Sequence, residues 1–318
     1  MHVVDLLREV RQPTFSLEII PPRRGSHMKQ IHDAIESVLP YKPPFIDVTS
    51  HAAEAVWEEM PDGSFKRKVK RKSPGTFGLC AVIKYKYNVE PVPHVLCGGF
   101  TREETEDALI ELNYLGIENV LAIRGDKLQH RAIPQDRSTN VYAVDLVRQI
   151  GDMNRGRYMD DLIDAARTNF CIGVSCYPEK HFEAPNLSFD LKVLKDKQDA
   201  GAHYAVSQMF YDTDKFLRYV EMARKAGITI PILPGLKIMT SRSQLTTLPS
   251  VFHIDIPEEL TDRMLAARNR AEEIETGVDW AYRQCLKLMD AGINYLHFYV
   301  MQNTSPFVKL MDRIRVKV

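Results

Sequence analysis

Eight short apolar segments recur along the chain, and segments with helical periodicity separate them. Each apolar segment ends in Gly, Pro or a polar residue, which is typical of strands in a buried parallel sheet. Eight alternations of strand and helix, without a long stretch of turn residues, are the pattern of a (β/α)8 barrel. The eight segments are Phe15 to Ile20, Phe45 to Thr49, Val92 to Cys97, Val120 to Ile123, Cys171 to Cys176, Tyr204 to Phe210, Ile230 to Leu236 and Tyr295 to Val300.

The segments between the strands carry helix start and stop signals. Thr101 and Glu104 form a capping box, and the helix that they open is expected to stop at Gly116. Ser73-Pro74 predicts the N-cap and first-turn proline of another helix. The main alternative, a doubly wound open sheet, commonly carries a G-x-G-x-x-G turn that this sequence lacks. We therefore predict an α/β protein with a single-domain (β/α)8 TIM-type barrel over residues 1–318.

Composition excludes several classes of protein. The 42 Lys and Arg balance the 42 Asp and Glu, so no global field favours a nucleic acid or an anionic membrane. The N-terminus lacks the apolar core of a signal peptide, and the longest uncharged stretch, residues 291–308, is too polar for a membrane span. Five scattered cysteines without a C-x-x-C pair indicate buried thiols. We expect a cytoplasmic protein.

A basic cluster follows the turn at Pro61 to Gly63. Six of the seven residues from Lys66 to Lys72 are Lys or Arg. We favour a solvated loop or hairpin over the functional alternative, an anion-binding flap over a phosphate-bearing ligand. Because aromatic residues other than Phe65 do not interleave with the cluster, nucleic-acid binding is the weakest interpretation.

Barrel enzymes place their catalytic groups at the carboxyl ends of the strands, and polar residues are frequent there in this chain. Glu18 alternates with apolar neighbours, so burial is expected to raise its pKa and suit it to general-acid catalysis. A buried glutamate paired to a Lys or Arg is an equally good interpretation. Arg124 and Asp126 flank Gly125, where they could bind two parts of one polar ligand or form a structural salt bridge. His94 and His181 lie far apart without a carboxylate at diagnostic spacing, so we predict no metal.

Eight motifs in order make the chain resemble the methylenetetrahydrofolate reductase family over nearly its whole length. The first, FSLEIIPPR at Phe15 to Arg23, is similar to the segment that opens these reductases. The others are Asp47 to Thr49, Pro93 to Cys97, Leu121 to Asp126, Tyr177 to Ala184, Ser207 to Asp212, Pro234-Gly235 and Leu296 to Tyr299.

The resemblance implies a bacterial-type catalytic domain, without the domain that senses S-adenosylmethionine in larger members. It implies a (β/α)8 flavoprotein that reduces 5,10-methylenetetrahydrofolate to 5-methyltetrahydrofolate by ping-pong hydride transfer. FAD would be the cofactor, NADH or NADPH the electron donor, folate the small-molecule partner, and a homo-oligomer the assembly. One-carbon metabolism and methionine biosynthesis would be the context.

The resemblance also assigns residues by motif position. Glu18 matches the acid that promotes opening of the folate's five-membered ring, and Asp126 matches an aspartate beside the flavin and the folate. Gln208 and Gln244, with Glu18 and Asp126, would contact the folate. The implied flavin contacts are Thr49, Ala52, His94, Arg124, Gly125, Asp126, Tyr142, Ala143, Tyr177, His181, Ala184, Asp190 and Lys197.

The chain departs from the family pattern at several positions. Ser50-His51 stands where the family usually has Tyr-Gly, and Lys66 to Lys72 lies in what resembles an insertion. Val193 and Asp196 replace an asparagine and an arginine that bind flavin in some members, and Asn303 replaces an arginine that touches folate. These changes suggest a divergent subgroup, and they leave the choice among NADH, NADPH and a protein electron donor open.

Three alternatives remain open at this point. The chain could be a folate-binding barrel that works without flavin, as methyltransferase-type domains do. It could also be a non-catalytic folate or flavin carrier, or a barrel subunit that needs a partner protein as electron donor.

Overall fold

A ring of parallel strands surrounded by helices organises the chain. The computed structural model describes residues 1–9, 12–70, 73–125 and 137–315. The strands are β1 (Thr14–Ile19), β2 (Phe45–Val48), β3 (Glu54–Glu59), β4 (Phe65–Lys70), β5 (Glu90–Leu96), β6 (Asn119–Ile123), β7 (Cys171–Cys176), β8 (Tyr204–Ser207), β9 (Ile232–Leu233), β10 (Gly235–Leu236) and β11 (Tyr295–Met301). The helices are α1 (Val3–Glu9), α2 (Lys29–Val38), α3 (Thr76–Tyr87), α4 (Arg102–Tyr114), α5 (Ala143–Asn154), α6 (Leu187–Asp199), α7 (Thr213–Lys225), α8 (Gln244–Phe252), α9 (Glu258–Ala266), α10 (Arg270–Asp290) and α11 (Ser305–Arg315), with a 3₁₀ turn at Leu39–Tyr41.

The ring has nine strands in the order β10-β11-β1-β2-β5-β6-β7-β8-β9. Its two edge strands, β9 and β10, both come from Ile230 to Leu236, which we predicted as one strand. Pro234 divides that segment because proline has no N–H to donate. The Pro234 carbonyl still accepts the His297 N–H at 3.0 Å, so the segment links β8 to β11 and closes the ring. The predicted (β/α)8 fold is confirmed.

Strand alternation separates an outer apolar layer from a partly polar interior. Leu17, Ile19 and Ile46 belong to the main hydrophobic core that packs beneath the helices. Inward-facing positions instead hold Glu18 and Asp47, which pair across β1 and β2. The ring interior is therefore where buried polar chemistry collects.

Helix α1 covers the end of the barrel at which the strands begin. Val3 is fully buried in a cluster with Phe45, Tyr204 and Tyr295. The Val3 N–H also donates to the Asn119 side-chain oxygen at 2.8 Å. This end is sealed, so ligands must approach the opposite rim.

The helix signals were correct at α4 and wrong at α3. The Thr101 hydroxyl accepts the Glu104 N–H, and the Glu104 carboxylate accepts the Thr101 N–H, as a capping box requires. Helix α3 begins two residues later than Ser73-Pro74 predicts, because Gly75 with φ of 100° occupies the N-cap. Left-handed backbone of that kind is readily available to glycine.

The basic cluster lies largely in a hairpin. Strands β3 and β4 pair antiparallel, with Trp57 opposite Arg67 and Glu58 opposite Lys66. Lys66 and Arg67 are exposed, and Lys68 forms an ion pair with Glu58. The solvated-hairpin interpretation is confirmed for the cluster up to residue 69, and the antiparallel pairing continues to Lys70. Residues 71 and 72 lie outside the described part.

Two further predictions concern the cysteines and membrane-spanning segments. All five cysteines are buried and free. In the described ranges, none of the helices combines the length and apolar character needed to cross a bilayer.

Candidate active site

Four side chains lie in one row across the rim at which the strands end. Glu18 on β1 is paired in register with Tyr299 on β11 and with Asp47 on β2. Leu236 on β10 is paired with Phe298, so Lys237 follows in register beside Tyr299. Parallel pairing thus brings together residues that are far apart in sequence.

Glu18 is the centre of this row. Its side chain is buried, and its Oε2 lies 3.4 Å from His94 Nε2. The pKa of Glu18 is raised to about 7, chiefly by burial; His94 and Lys237 oppose this rise, whereas the Asp47 charge adds to it. The prediction of a buried carboxyl that can hold a proton near neutral pH agrees with this geometry. Its side of β1 is polar, however, so the surroundings are less apolar than alternation suggested.

Burial disfavours the charged forms of the groups behind Glu18. Burial lowers the pKa of His94, and it lowers the pKa of His297 to about 3. Burial also raises the pKa of Asp47 well above its usual value, and within the described part of the chain neither carboxyl oxygen has a hydrogen-bond partner. His297 Nδ1 and the Ser16 hydroxyl are 2.8 Å apart. Burial therefore opposes fixed charge in the interior behind Glu18.

Asp47, His297, Ser16 and Tyr299 were not assigned individual roles from sequence. Asp47 had a usable signal, because it is the one charged residue in the apolar strand Phe45–Val48. His297 interrupts the apolar β11 in the same way. A polar residue inside an otherwise buried strand is therefore as good a candidate for a site residue as one at the strand's end.

A second cluster lies where β6 and β7 end. Arg124 Nη2 forms an ion pair with Glu183 Oε2 at 2.6 Å, and His181 Nδ1 is 4.0 Å from the same carboxylate. The rings of Tyr177 and His181 meet edge to face, with centroids 4.7 Å apart. The Ala184 N–H donates to the His181 carbonyl. The structure thus brings these four predicted flavin contacts together, with Glu183 as an unpredicted member.

Helix α6 adds Asp190 and Lys197 to this cluster. The Asp190 carboxylate accepts the His181 N–H at 3.2 Å. Lys197 Nζ donates to the Ser175 carbonyl at 2.8 Å. Burial lowers the pKa of Lys197, whereas the nearby Asp190 charge raises it. A buried lysine beside Arg124 offers positive charge to an anionic ligand.

The remaining predicted flavin contacts surround these clusters. Thr49 and Ala52 follow β2 and are buried, and the Thr49 hydroxyl has no partner among the described residues. Gly125 follows Arg124 with φ of 85°. Tyr142 is exposed at the N-cap of α5, and Ala143 is buried in its first turn. Asp126, predicted both as a catalytic residue and as a flavin and folate contact, lies outside the described residues.

His94 was predicted as a flavin contact, but it lies next to Glu18 and Asp47. It was assigned to the flavin, yet its imidazole lies inside the ring, 3.7 Å from Asp47 and next to Glu18. The structure therefore ties it first to the acid, and its contact with flavin stays a prediction.

A cavity of about 260 Å³ opens beside the row, between the ends of β10 and β11 and helices α8 and α11. Its walls include Lys237, Gln244, Gln302 and Asn303. Gln244 Oε1 accepts the Thr240 N–H at 2.6 Å. Of the two glutamines predicted to contact folate, Gln244 lines this cavity.

Gln208 lies directly after β8 and is not a wall of the cavity. Its Oε1 accepts the Met209 N–H at 2.9 Å. Of the departures on α6, Val193 is half-buried and Asp196 is exposed. Across the described ranges, no group of three or more His, Cys, Asp or Glu side chains is arranged to hold a metal ion.

The sequence model of the methylenetetrahydrofolate reductase family matches residues 4–315. The chain belongs to this family. It is 30% identical over 303 residues to methylenetetrahydrofolate reductase 1 of Schizosaccharomyces pombe, covering 95% of this chain and 46% of that protein. It is 29% identical over 307 residues to 5,10-methylenetetrahydrofolate reductase of Buchnera aphidicola, covering 96% of this chain and 91% of that protein. This reductase-family chain spans about half the length of its fungal relatives.

Solved structures support the barrel fold alone. A Clostridium thermocellum protein, described as binding two copies of 5-methyl-5,6,7,8-tetrahydrofolic acid, has a TM-score of 0.59 at 12% identity and covers 98% of both chains. Oxaloacetate acetylhydrolase has a TM-score of 0.50 at 9% identity, covering 99% of this chain and 85% of that chain. The predicted family resemblance and the predicted fold are both confirmed.

Proposed function

We propose that this chain reduces 5,10-methylenetetrahydrofolate to 5-methyltetrahydrofolate, with electrons passing from NADH or NADPH through FAD. The family match over residues 4–315 supports the substrate and the reaction class. The observation that carries the proposal within this chain is Glu18, a buried acid with a pKa of about 7 at the ligand-facing rim. Such a group can both donate and regain a proton near neutral pH.

Glu18 would protonate the folate nitrogen that leaves when the five-membered ring opens. Ring opening leaves an iminium carbon, which is the electrophile that a hydride can attack. His94 Nε2 lies 3.4 Å from the Glu18 carboxyl. Because the opposite end of the barrel is closed by α1, water reaches Glu18 from the rim, where bound substrate would exclude it.

The cluster around Arg124 fits FAD. The pyrophosphate of a dinucleotide carries two negative charges, and Lys197 and Arg124 supply two cations. Arg124 is held by Glu183, which a pyrophosphate could replace as its partner. The buried Thr49 hydroxyl, which lacks a partner in the described part, can bond a polar edge of the flavin. FAD would supply the hydride that completes the reduction.

The identity of the electron donor is the most detailed claim in the proposal. Relatives are named for NADH in Arabidopsis thaliana and for NADPH in Caenorhabditis elegans. A barrel subunit reduced by a partner protein is the alternative that an experiment must separate. The predicted homo-oligomer, the cytoplasmic location and the role of Asp126 stay predictions.

Anaerobic stopped-flow measurement of the two half-reactions tests the proposal. The FAD-loaded wild type should be bleached by NADH or NADPH and reoxidised by methylenetetrahydrofolate. Glu18→Gln should bind FAD and accept electrons normally but lose folate reduction by about a thousandfold, because removing a general acid costs about 10² to 10⁴ in rate.

Glu118→Gln, a change at the sealed end of the barrel, is the matched control and should behave as wild type. Folate reduction at the wild-type rate in Glu18→Gln would remove Glu18 from the mechanism. Bound flavin that neither nicotinamide reduces would favour the alternative with a protein electron donor. Failure to bind FAD would contradict the flavoprotein assignment.

A further inference from the structure

Lys237 lies in the row of Glu18 but has no role in the proposed reaction. It follows β10, and the register places it two strands from Glu18, with Tyr299 between them. Its Nζ donates to the Tyr299 main-chain carbonyl at 3.3 Å. Among the described residues, no carboxylate lies within ion-pair distance of Lys237.

Burial raises the pKa of Glu18, and two basic side chains lower it: His94, with the larger effect, and Lys237. Asp47 from β2, His94 from β5, Tyr299 from β11 and Lys237 after β10 all interact with Glu18. Burial favours the neutral forms of Asp47, His94 and Tyr299. Burial also lowers the pKa of Lys237 from 10.5, but the Glu18 charge opposes that shift. An ionised Glu18 therefore favours the charged form of Lys237.

We propose that Lys237 is a positioning residue whose ammonium is the countercharge for the carboxylate that Glu18 becomes when it donates its proton. The inference rests on the proposed role of Glu18 as proton donor. In the step, the O–H bond of Glu18 breaks, an N–H bond forms on the folate, and the electron pair stays on the Glu18 oxygen. A negative charge left in a buried site is costly unless a cation faces it.

A second role for Lys237 would be direct binding of a folate carboxylate, since it also lines the cavity. The register favours the countercharge role, because Lys237 follows Leu236, which pairs with Phe298, and so comes beside Tyr299 in the row of Glu18. The two roles differ in what a lysine variant changes. A countercharge alters the acidity of Glu18, whereas a carboxylate contact alters the affinity for the substrate.

Titration of Glu18 in the full chain tests the coupling directly. Proteins labelled with ¹³C at the glutamate carboxyl are titrated by NMR, and Glu18→Gln assigns the resonance. Lys237→Met and Lys237→Gln should raise the midpoint of Glu18 by about one pH unit, a tenfold change in acidity. Lys237→Arg should restore the wild-type midpoint. Lys225→Met, at the exposed end of α7, is the control for net charge.

The folate half-reaction supplies the second readout. At pH 6.5, Lys237→Met should slow it about three- to tenfold because Glu18 is a weaker acid, while flavin reduction is unchanged. An unshifted Glu18 midpoint in both neutral variants would overturn the proposal. A loss confined to KM, and absent with a substrate that lacks the glutamate tail, would assign Lys237 to carboxylate binding instead. If wild type does not reduce folate, the proposed function fails, whereas the NMR titration still decides whether Lys237 and Glu18 are coupled.

Discussion

Replacing Glu18 with glutamine should stabilise the protein at alkaline pH, even though it should abolish folate reduction. The reason is that a buried carboxyl resists ionisation in the folded state. Its pKa is raised from 4.5 to about 7, so unfolding becomes more favourable as the pH rises through that window. Glutamine has nearly the same shape and cannot ionise, which removes this pH-dependent cost.

The magnitude follows from the two pKa values. The folded protein retains the Glu18 proton up to about pH 7, whereas the unfolded chain loses it near 4.5. The contribution of Glu18 to the free energy of unfolding is fully present below pH 4.5. Between pH 4.5 and about pH 7 it decreases by about 1.4 kcal/mol per pH unit. Between pH 5 and pH 8 the loss is about 2.5 kcal/mol for wild type and absent for Glu18→Gln.

Urea unfolding followed by circular dichroism at pH 5 and pH 8 measures the effect. The difference in unfolding free energy between Glu18→Gln and wild type should shift by about 2.5 kcal/mol in favour of the variant at pH 8. Taking the difference cancels groups whose titration is the same in both proteins, and it cancels any pH-independent cost of the amide. A difference that is the same at both pH values would refute a raised pKa at Glu18.

Three further changes test the flavin cluster, the barrel closure and a helix cap. Lys197→Met should weaken FAD binding about tenfold or more, measured by flavin fluorescence, with exposed Lys192→Met as control. Gly235→Ala should lower the free energy of unfolding by about 3 kcal/mol in urea, because a Cβ there would lie 2.1 Å from the Ser207 carbonyl oxygen. Thr101→Ala should cost about 1 kcal/mol in the same assay by removing the capping box; an unchanged urea midpoint would contradict that.

The barrel could be predicted because its signal is local. A buried parallel strand needs only a few consecutive apolar residues, and Phe15 to Ile20 shows that without reference to the rest of the chain. The division of Ile230 to Leu236 at Pro234 was also available, since proline interrupts a ladder. The start of α3 could not be predicted. Ser73-Pro74 is a good local cap signal, but the helix begins after Gly75, whose left-handed conformation occupies the N-cap.

The candidate site was only partly predictable. Sequence and resemblance together named Glu18, Arg124 and Lys197, and the structure places each at the rim where strands end. Their partners could not be named, because Glu18 meets His94 and Arg124 meets Glu183 only after the ring closes. Contacts across a parallel sheet join residues that are dozens of positions apart, and periodicity carries no information about which strands become neighbours.

The acidity of Glu18 shows why fold and chemistry differ in this respect. Its burial follows from the inward direction of one side chain on β1, which alternation predicts. Its pKa also depends on charges from other strands: Asp47 opposes ionisation, while His94 and Lys237 favour it. Each of these three reaches Glu18 from a different segment, so the same strand in another barrel could hold a stronger or a weaker acid. The chemistry of the site is therefore set by strand register, and changes at the neighbouring strands can tune the reaction without altering the acid itself.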